Sequence, residues 1–248
     1  MATWEIHPEA ASLDPTAQIE VDSAGLADAA AGNLDAPVEY CPGWLVADLV
    51  WHLRGVHHFW AEIVARSLTD PHDVKRFERP DDAQLVGDFR DGAERLVSVL
   101  RTADPAAPVW TWAPQRDAGF VIRHQVQETS VHRWDAEHAA RNRFSIDLPT
   151  AVDSIEEFLT FSTDVSDATP LGEALLLAAT DADAAWIVED GPNRAVRWRR
   201  GQAESPGAEL RANASDLLLW LYGRAEPDAM VTGDTDVLDR FRTHLDTA

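Results

Sequence analysis

The sequence predicts an α+β protein of two domains: an antiparallel four-helix bundle in residues 1–146, and a small α+β domain with a mainly antiparallel sheet in residues 147–248. Three observations support this prediction. Four segments of roughly twenty residues in the first part of the chain have helical patterns and are joined by moderate loops. After Arg143, short apolar runs alternate with turns rich in Asp, Gly and Pro. The length of 248 residues suits one large domain or two small ones.

The four predicted helices of the bundle follow one another along the chain. They run from about Pro15 to Asn33, Trp44 to Leu68, Asp81 to Thr102, and Ala118 to Arg141. Pro71 to Pro80 is expected to be a charged, exposed connector between the second and third helices. The second helix starts without a capping hydroxyl group, because Leu45 stands where a serine or threonine would form a capping box with Asp48.

The second domain is predicted to open with a helix and to continue as a sheet. Its first helix is Pro149 to Ser162, and its strands are Ala174–Ala179, Ala185–Glu189, Ala195–Arg199 and Ala208–Ala212. A short apolar helix, Ala214 to Tyr222, follows and ends at Gly223. Val231–Asp234 then leads into a last helix, Thr235 to Leu245.

Charge and composition exclude several classes of protein. The formal net charge of −22 argues against nucleic acid or an anionic membrane surface as a partner. No apolar run is long enough for a membrane-spanning helix, and the N-terminus lacks the basic-then-apolar pattern of a signal peptide. Cys41 is the sole cysteine, so a reducing cytoplasm is the simplest location. The ten tryptophans indicate either an aromatic-lined cavity or a Trp-rich core, of which the core is the default.

The fourth helix carries a stripe of polar, ionisable side chains on the same face as its apolar residues. At about 100° per residue, His124, Glu128, His132 and Asp135 fall within an arc of roughly 80° that also carries apolar residues, so this face points to a core. The opposite face, which includes Ser130 and Arg133, is expected to be the solvent-exposed one. A buried carboxylate between imidazoles is costly unless it is paired, protonated or bound to a cation.

Glu128 and His132 have the spacing of a metal-binding pair. Side chains four residues apart on a helix lie one turn apart on the same face, and can grip one ion. Such pairs are also common as ordinary hydrogen bonds. A third candidate ligand is His52, on the apolar face of the second helix. Asp48, one turn before His52, could fix its tautomer, and Gly55, about one turn after it, would leave room for a ligand.

These segments carry a family resemblance. The motifs are Cys41-Pro-Gly-Trp44, Val46-Ala-Asp48-Leu-Val-Trp-His52-Leu, Glu128-Thr-Ser-Val-His132-Arg-Trp-Asp135, Leu217-Leu-Leu-Trp-Leu-Tyr-Gly223-Arg224 and Val231-Thr-Gly-Asp234. With them, the chain resembles the mycothiol-dependent maleylpyruvate isomerase family over nearly its whole length. In that family a DinB-like metal-binding bundle precedes a domain similar to sterol carrier proteins.

The resemblance implies a site and a chemistry. It implies a divalent metal, usually zinc, held by His52, Glu128 and His132, with Arg224 of the second domain as a catalytic residue suited to a carboxylated substrate. It also implies mycothiol as the thiol cosubstrate. Three mixed N and O ligands leave coordination positions open, and a thiol that enters one loses its proton and becomes a nucleophile.

Three functions remain open at this stage. The first is a metal-dependent enzyme that uses a low-molecular-weight thiol, either as an S-transferase or as a cis–trans isomerase acting on an electrophilic small molecule. The second is a binding protein that holds a small molecule without turnover. The third is a DinB-like metallohydrolase that uses metal-bound water.

Overall fold

The structure is a computed structural model that describes residues 6–163, 168–192, 195–224 and 229–245. Contacts divide the chain into two compact units. One is Leu13–Ile146, and the other joins Asp147–Ala248 to the N-terminal segment that ends at Ser12. The division into domains at residues 1–146 and 147–248 stays a prediction. The first five residues, on which the expected lack of a signal peptide partly rests, lie outside the described residues.

The first unit is the four-helix bundle that the sequence predicts. Its helices are α1 (Pro15–Ala30), α2 (Val46–Ala65), α3 (Asp82–Thr102) and α4 (Ala118–Ala139). The closely packed pairs are α1 with α4, α2 with α3, α1 with α3, and α2 with α4. The order around the bundle is therefore α1, α4, α2, α3, and this order places α2 directly against α4.

The start of α2 is better capped than the sequence indicates. The Asp48 carboxylate accepts a hydrogen bond from the Leu45 N–H at 3.0 Å, which is one half of a capping box. This bond uses the acidic partner alone, so the missing hydroxyl group at position 45 does not prevent it. The side chain of Asp117 caps α4 by accepting a hydrogen bond from the Phe120 N–H at 2.9 Å.

The face of α4 expected to be exposed to solvent is instead packed against α1. Ser130 is fully buried, and its hydroxyl donates to the carboxylate of Asp22, a residue of α1 that is itself 1% exposed. The Arg133 guanidinium also pairs with this carboxylate, at 3.0 Å. The prediction was wrong because periodicity alone cannot show that a polar face finds charged partners on a neighbouring helix.

The second unit is an α+β domain, as predicted. Its helices are α5 (Leu148–Phe161), α6 (Ala214–Leu221) and α7 (Thr235–Arg242), and its strands are β1 (Leu175–Ala179), β2 (Ala185–Asp190), β3 (Val196–Arg200), β4 (Ala208–Ala212) and β5 (Met230–Gly233). The strand order is β3-β2-β1-β4-β5. Only the β1–β4 pair is parallel, so the sheet is mainly antiparallel. The sequence did not predict β5, which is an exposed edge strand.

In the described residues, no helix is long and apolar enough to cross a membrane.

Candidate metal centre

Helices α2 and α4 bring three candidate ligands together. His52 Nε2 of α2 lies 3.1 Å from Glu128 Oε1 of α4. His132 Nε2, one turn further along α4, lies 3.5 Å from the same oxygen. One donor atom from each of the three residues lies within 4.8 Å of the other two. The residues that the sequence singles out as ligands thus form one cluster inside the bundle.

The cluster has the dimensions and the chemistry of a divalent metal site. A tetrahedral zinc ion with bonds of about 2.0–2.2 Å holds its ligand atoms about 3.3–3.6 Å apart. The two distances to Glu128 Oε1 are close to this spacing. Two imidazoles and one carboxylate also form a donor set that zinc accepts while keeping a position open for a further ligand.

The protonation of the cluster follows from its enclosure. Burial raises the pKa of the Glu128 carboxyl, but His132 and His52 outweigh burial, and the pKa lies well below its usual value. Burial likewise lowers the pKa of His132, but the Glu128 charge and the hydrogen bond to Asp135 raise it to about 9. Without a cation, a protonated His132 therefore neutralises the enclosed carboxylate. A metal ion must displace that proton.

Asp135 orients His132 from the side away from Glu128. Its Oδ2 lies 3.0 Å from His132 Nδ1, and the carboxylate is fully buried. A carboxylate that accepts the second ring N–H of a histidine fixes the tautomer and leaves Nε2 available to a metal. The sequence places Asp135 on the correct face of α4 but gives it no role.

A second group of possible ligands shares two of these residues. Cys41, His132 and Asp135 also have donor atoms within 4.8 Å of one another, and Cys41 Sγ lies 3.9 Å from Asp135 Oδ2. His132 Nδ1 already lies at hydrogen-bonding distance from Asp135. We therefore interpret Asp135 as the support of a ligand.

Two other expectations about α2 had different outcomes. Asp48 makes its hydrogen bonds to Leu45 and Arg79 and not to His52, so it does not fix the tautomer of that histidine. A Cβ atom added at Gly55 would meet nothing within 4 Å, so this glycine does leave open space. His57 is fully buried, with Nε2 3.2 Å from Thr129 Oγ1, and belongs to the packing between α2 and α4.

A cavity of about 1050 Å³ opens beside His52 in the first unit. Gly55 is one of its lining residues, and the tryptophans and phenylalanines that line it are Trp44, Trp51, Phe59 and Phe77. The Trp44 and His52 rings lie 5.0 Å apart, centroid to centroid. The connector before α3 forms one wall of this cavity, a role that was not expected from the sequence.

Some tryptophans line the cavity and others belong to the core, so each of the two interpretations holds for part of the set. Trp44 and Trp51 line the cavity. Trp60 and Trp134 belong to the core, at 4% and 9% exposure. Trp112, at 47% exposure, belongs to neither group.

Arg224 lies directly after α6, at the end of the resembling segment. The residue is 6% exposed. Its Nη1 donates to the Tyr222 carbonyl oxygen at 3.1 Å, and its guanidinium lies 5.3 Å from the centre of the Tyr222 ring. Both contacts are within the second unit, so the predicted catalytic role of Arg224 stays a prediction.

The fold and the cluster define a two-domain protein with a candidate metal centre in its helical bundle. Residues 16–137 match the family model of the mycothiol maleylpyruvate isomerase N-terminal domain, and residues 149–240 match that of the C-terminal domain of the same family. The chain belongs to the mycothiol-dependent maleylpyruvate isomerase family, as the motifs predict.

Solved structures agree at the level of the fold. A crystal structure of the mycothiol-dependent maleylpyruvate isomerase aligns with a TM-score of 0.58 at 12% identity, covering 94% of this chain and 96% of that one. A variant of that enzyme, with one histidine replaced by alanine, aligns with a TM-score of 0.60 at 11% identity and the same coverage. No curated protein matches the sequence significantly.

Proposed function

We propose that this protein is a metal-dependent enzyme that uses a low-molecular-weight thiol, mycothiol by family, as its nucleophile. Its reaction is S-transfer to an electrophilic small molecule or a cis–trans isomerisation like that of maleylpyruvate isomerase. The observation that carries the proposal is the convergence of His52, Glu128 and His132 beside a cavity large enough for a cosubstrate. Family membership supports the thiol.

The three ligands have different tasks in this proposal. Glu128 supplies the negative charge that holds a divalent cation, and zinc is the proposed ion. Asp135 holds His132 in the tautomer that leaves Nε2 free to bind. His52, with 37% of its side chain exposed, is the ligand that borders the cavity. A metal ion bound by these residues lowers the pKa of the cosubstrate thiol, so that the thiol is a thiolate at neutral pH.

The remaining steps belong to the protein and the thiol. The aromatic walls of the cavity shield the thiolate from water and hold the electrophile against it. Addition of sulfur to one carbon of a cis double bond makes that bond single, rotation follows, and loss of the thiolate restores a trans double bond. In S-transfer, the adduct takes up a proton and leaves. We further propose that Arg224 binds a substrate carboxylate.

The test is turnover with and without mycothiol, using zinc-loaded protein and maleylpyruvate. Product analysis separates the two reactions, because an isomerase returns the thiol and a transferase consumes it. We expect Glu128→Gln to lose metal and turnover together. Glu137→Gln is the matched control on the same helix, since Glu137 pairs with Arg133 and belongs to no ligand group. Turnover without any thiol would favour the metallohydrolase and refute the proposal.

Arg224 has its own test. Arg224→Lys keeps the charge and should retain more activity than Arg224→Gln, with the loss concentrated in KM for a carboxylated substrate. Equal activity of the wild type and both variants would remove Arg224 from the mechanism.

A further inference from the structure

The cavity beside His52 carries positive charge in a strongly acidic protein. The chain has a formal net charge of −22, yet the wall formed by the connector presents Lys75, the sole lysine of the sequence, and Arg76 to the cavity. Asp48 is the one carboxylate among the described residues that line this space. It accepts the Leu45 N–H and pairs with Arg79, so its charge is already compensated.

The two cations of the wall are not used within the protein. In the part of the chain that the structure describes, neither the Lys75 ammonium nor the Arg76 guanidinium makes a hydrogen bond or an ion pair. Both residues are exposed. In a chain with 43 acidic residues, two adjacent cations without a carboxylate in hydrogen-bonding or ion-pairing contact remain available to an anionic ligand.

The connector is held in place by its backbone and by one aromatic side chain, so the two cations need no partners of their own. His58 Nε2 donates to the Lys75 carbonyl oxygen at 2.9 Å. Phe77 packs against the rings of Trp51 and His58, with centroids 5.0 and 4.6 Å away, and under the Arg54 guanidinium. These contacts tie residues 75–77 to α2, the helix that carries His52. The positive wall is thus held against the helix that carries one of the three candidate ligands.

From this arrangement we propose that Lys75 and Arg76 are specificity-determining residues that bind an anionic group of the small molecule occupying the cavity. They select anionic over neutral electrophiles for the neighbouring centre. The proposal rests on the proposed function for its electrophile, although the binding of the anion does not require turnover. A carboxylate and a phosphate share the required chemistry, since both accept charge-assisted hydrogen bonds from lysine and arginine.

The test is calorimetric titration of the zinc-loaded protein with three probes: succinate, inorganic phosphate and the neutral analogue succinamide. We expect the wild type to bind succinate or phosphate and not succinamide. The anion that binds more tightly shows whether the recognised group is a carboxylate or a phosphate. The variant Lys75→Gln/Arg76→Gln should bind that anion about tenfold or more weakly, because it removes both charge-assisted contacts. Lys75→Arg, which keeps the charge, should retain binding.

Controls separate this proposal from the metal centre. Arg116→Gln removes an exposed arginine of the same unit that does not line the cavity, and should leave anion binding unchanged. Zinc content and mycothiol binding, measured on every variant, should stay at the wild-type level. Anion binding that survives the double substitution would overturn the proposal, as would a wild type that binds neither anion. Absence of mycothiol binding with anion binding intact would refute the proposed function alone.

Discussion

Replacement of Asp135 by asparagine tests whether the Asp135 carboxylate orients His132 for metal binding. The Asp135 carboxylate is fully buried and lies 3.0 Å from His132 Nδ1. An asparagine keeps the volume but removes the charge, and its amide group can also turn its N–H toward the ring. Loss of such a carboxylate typically lowers metal affinity about ten- to a hundredfold, or roughly 1.4–2.7 kcal/mol. We expect a zinc affinity lowered within this range.

The assay is competition for zinc against a chromophoric chelator, with urea unfolding to confirm that the variant folds. Asp48→Asn is the matched control, because Asp48 lines the cavity near His52 but makes no hydrogen bond to it. Its zinc affinity should stay within about threefold of the wild type, since only a screened charge is lost. Equal affinities for wild type and Asp135→Asn, with both proteins folded, would refute the assignment of Asp135 as the support of His132.

Three further substitutions test the packing around the site by urea unfolding. Gly55→Ala should raise the free energy of unfolding by about 1 kcal/mol, because the added Cβ meets open space in a helix interior. A loss of stability would contradict the presence of open space beside Gly55. Burial lowers the pKa of His57 to about 3, so below pH 6.5 the unfolded chain takes up a proton that the folded protein refuses. As pH falls from 6.5 to 3, this residue alone should therefore lower the free energy of unfolding by about 1.4 kcal/mol per pH unit. His57→Gln should flatten that slope, and an unchanged slope would contradict the burial of a neutral His57. Asp22→Ala should cost about 3 kcal/mol, because it leaves the partly buried Arg133 without its partner on α1; a cost below about 1 kcal/mol would show that the pair is solvated.

The sequence predicted the parts of the molecule that local patterns determine. The lack of proline, and of glycine after Gly119, located α4 from Ala118. The spacing of Glu128 and His132 then placed both on one face, because that geometry is internal to a helix. His52 needed more, since it lies 76 residues before Glu128 and on another helix. Its assignment rested on Asp48 and Gly55, about one turn before and after it, and on the family resemblance of the motif around it.

Features that depend on packing between distant segments escaped the sequence. The ion pair between Asp22 and Arg133 joins residues 111 positions apart, and neither residue carries a signal that it has a partner. The connector was expected to be merely exposed, because charged residues between prolines indicate a solvated loop. Its role as a cavity wall depends on Phe77 inserting beside Trp51, a contact that composition does not reveal.

The placement of the cluster argues for function more strongly than its composition does. An enclosed carboxylate with two imidazoles stabilises a fold less than apolar side chains of the same volume would, because desolvation offsets much of the attraction. Here His52, the partner of Glu128, lines a large cavity, and the buried carboxylate of Asp135 orients His132. A purely structural pair needs neither the cavity nor the oriented Nε2 of His132. Both are what an exchangeable ligand on a metal ion requires, so the arrangement supports the proposed metal centre.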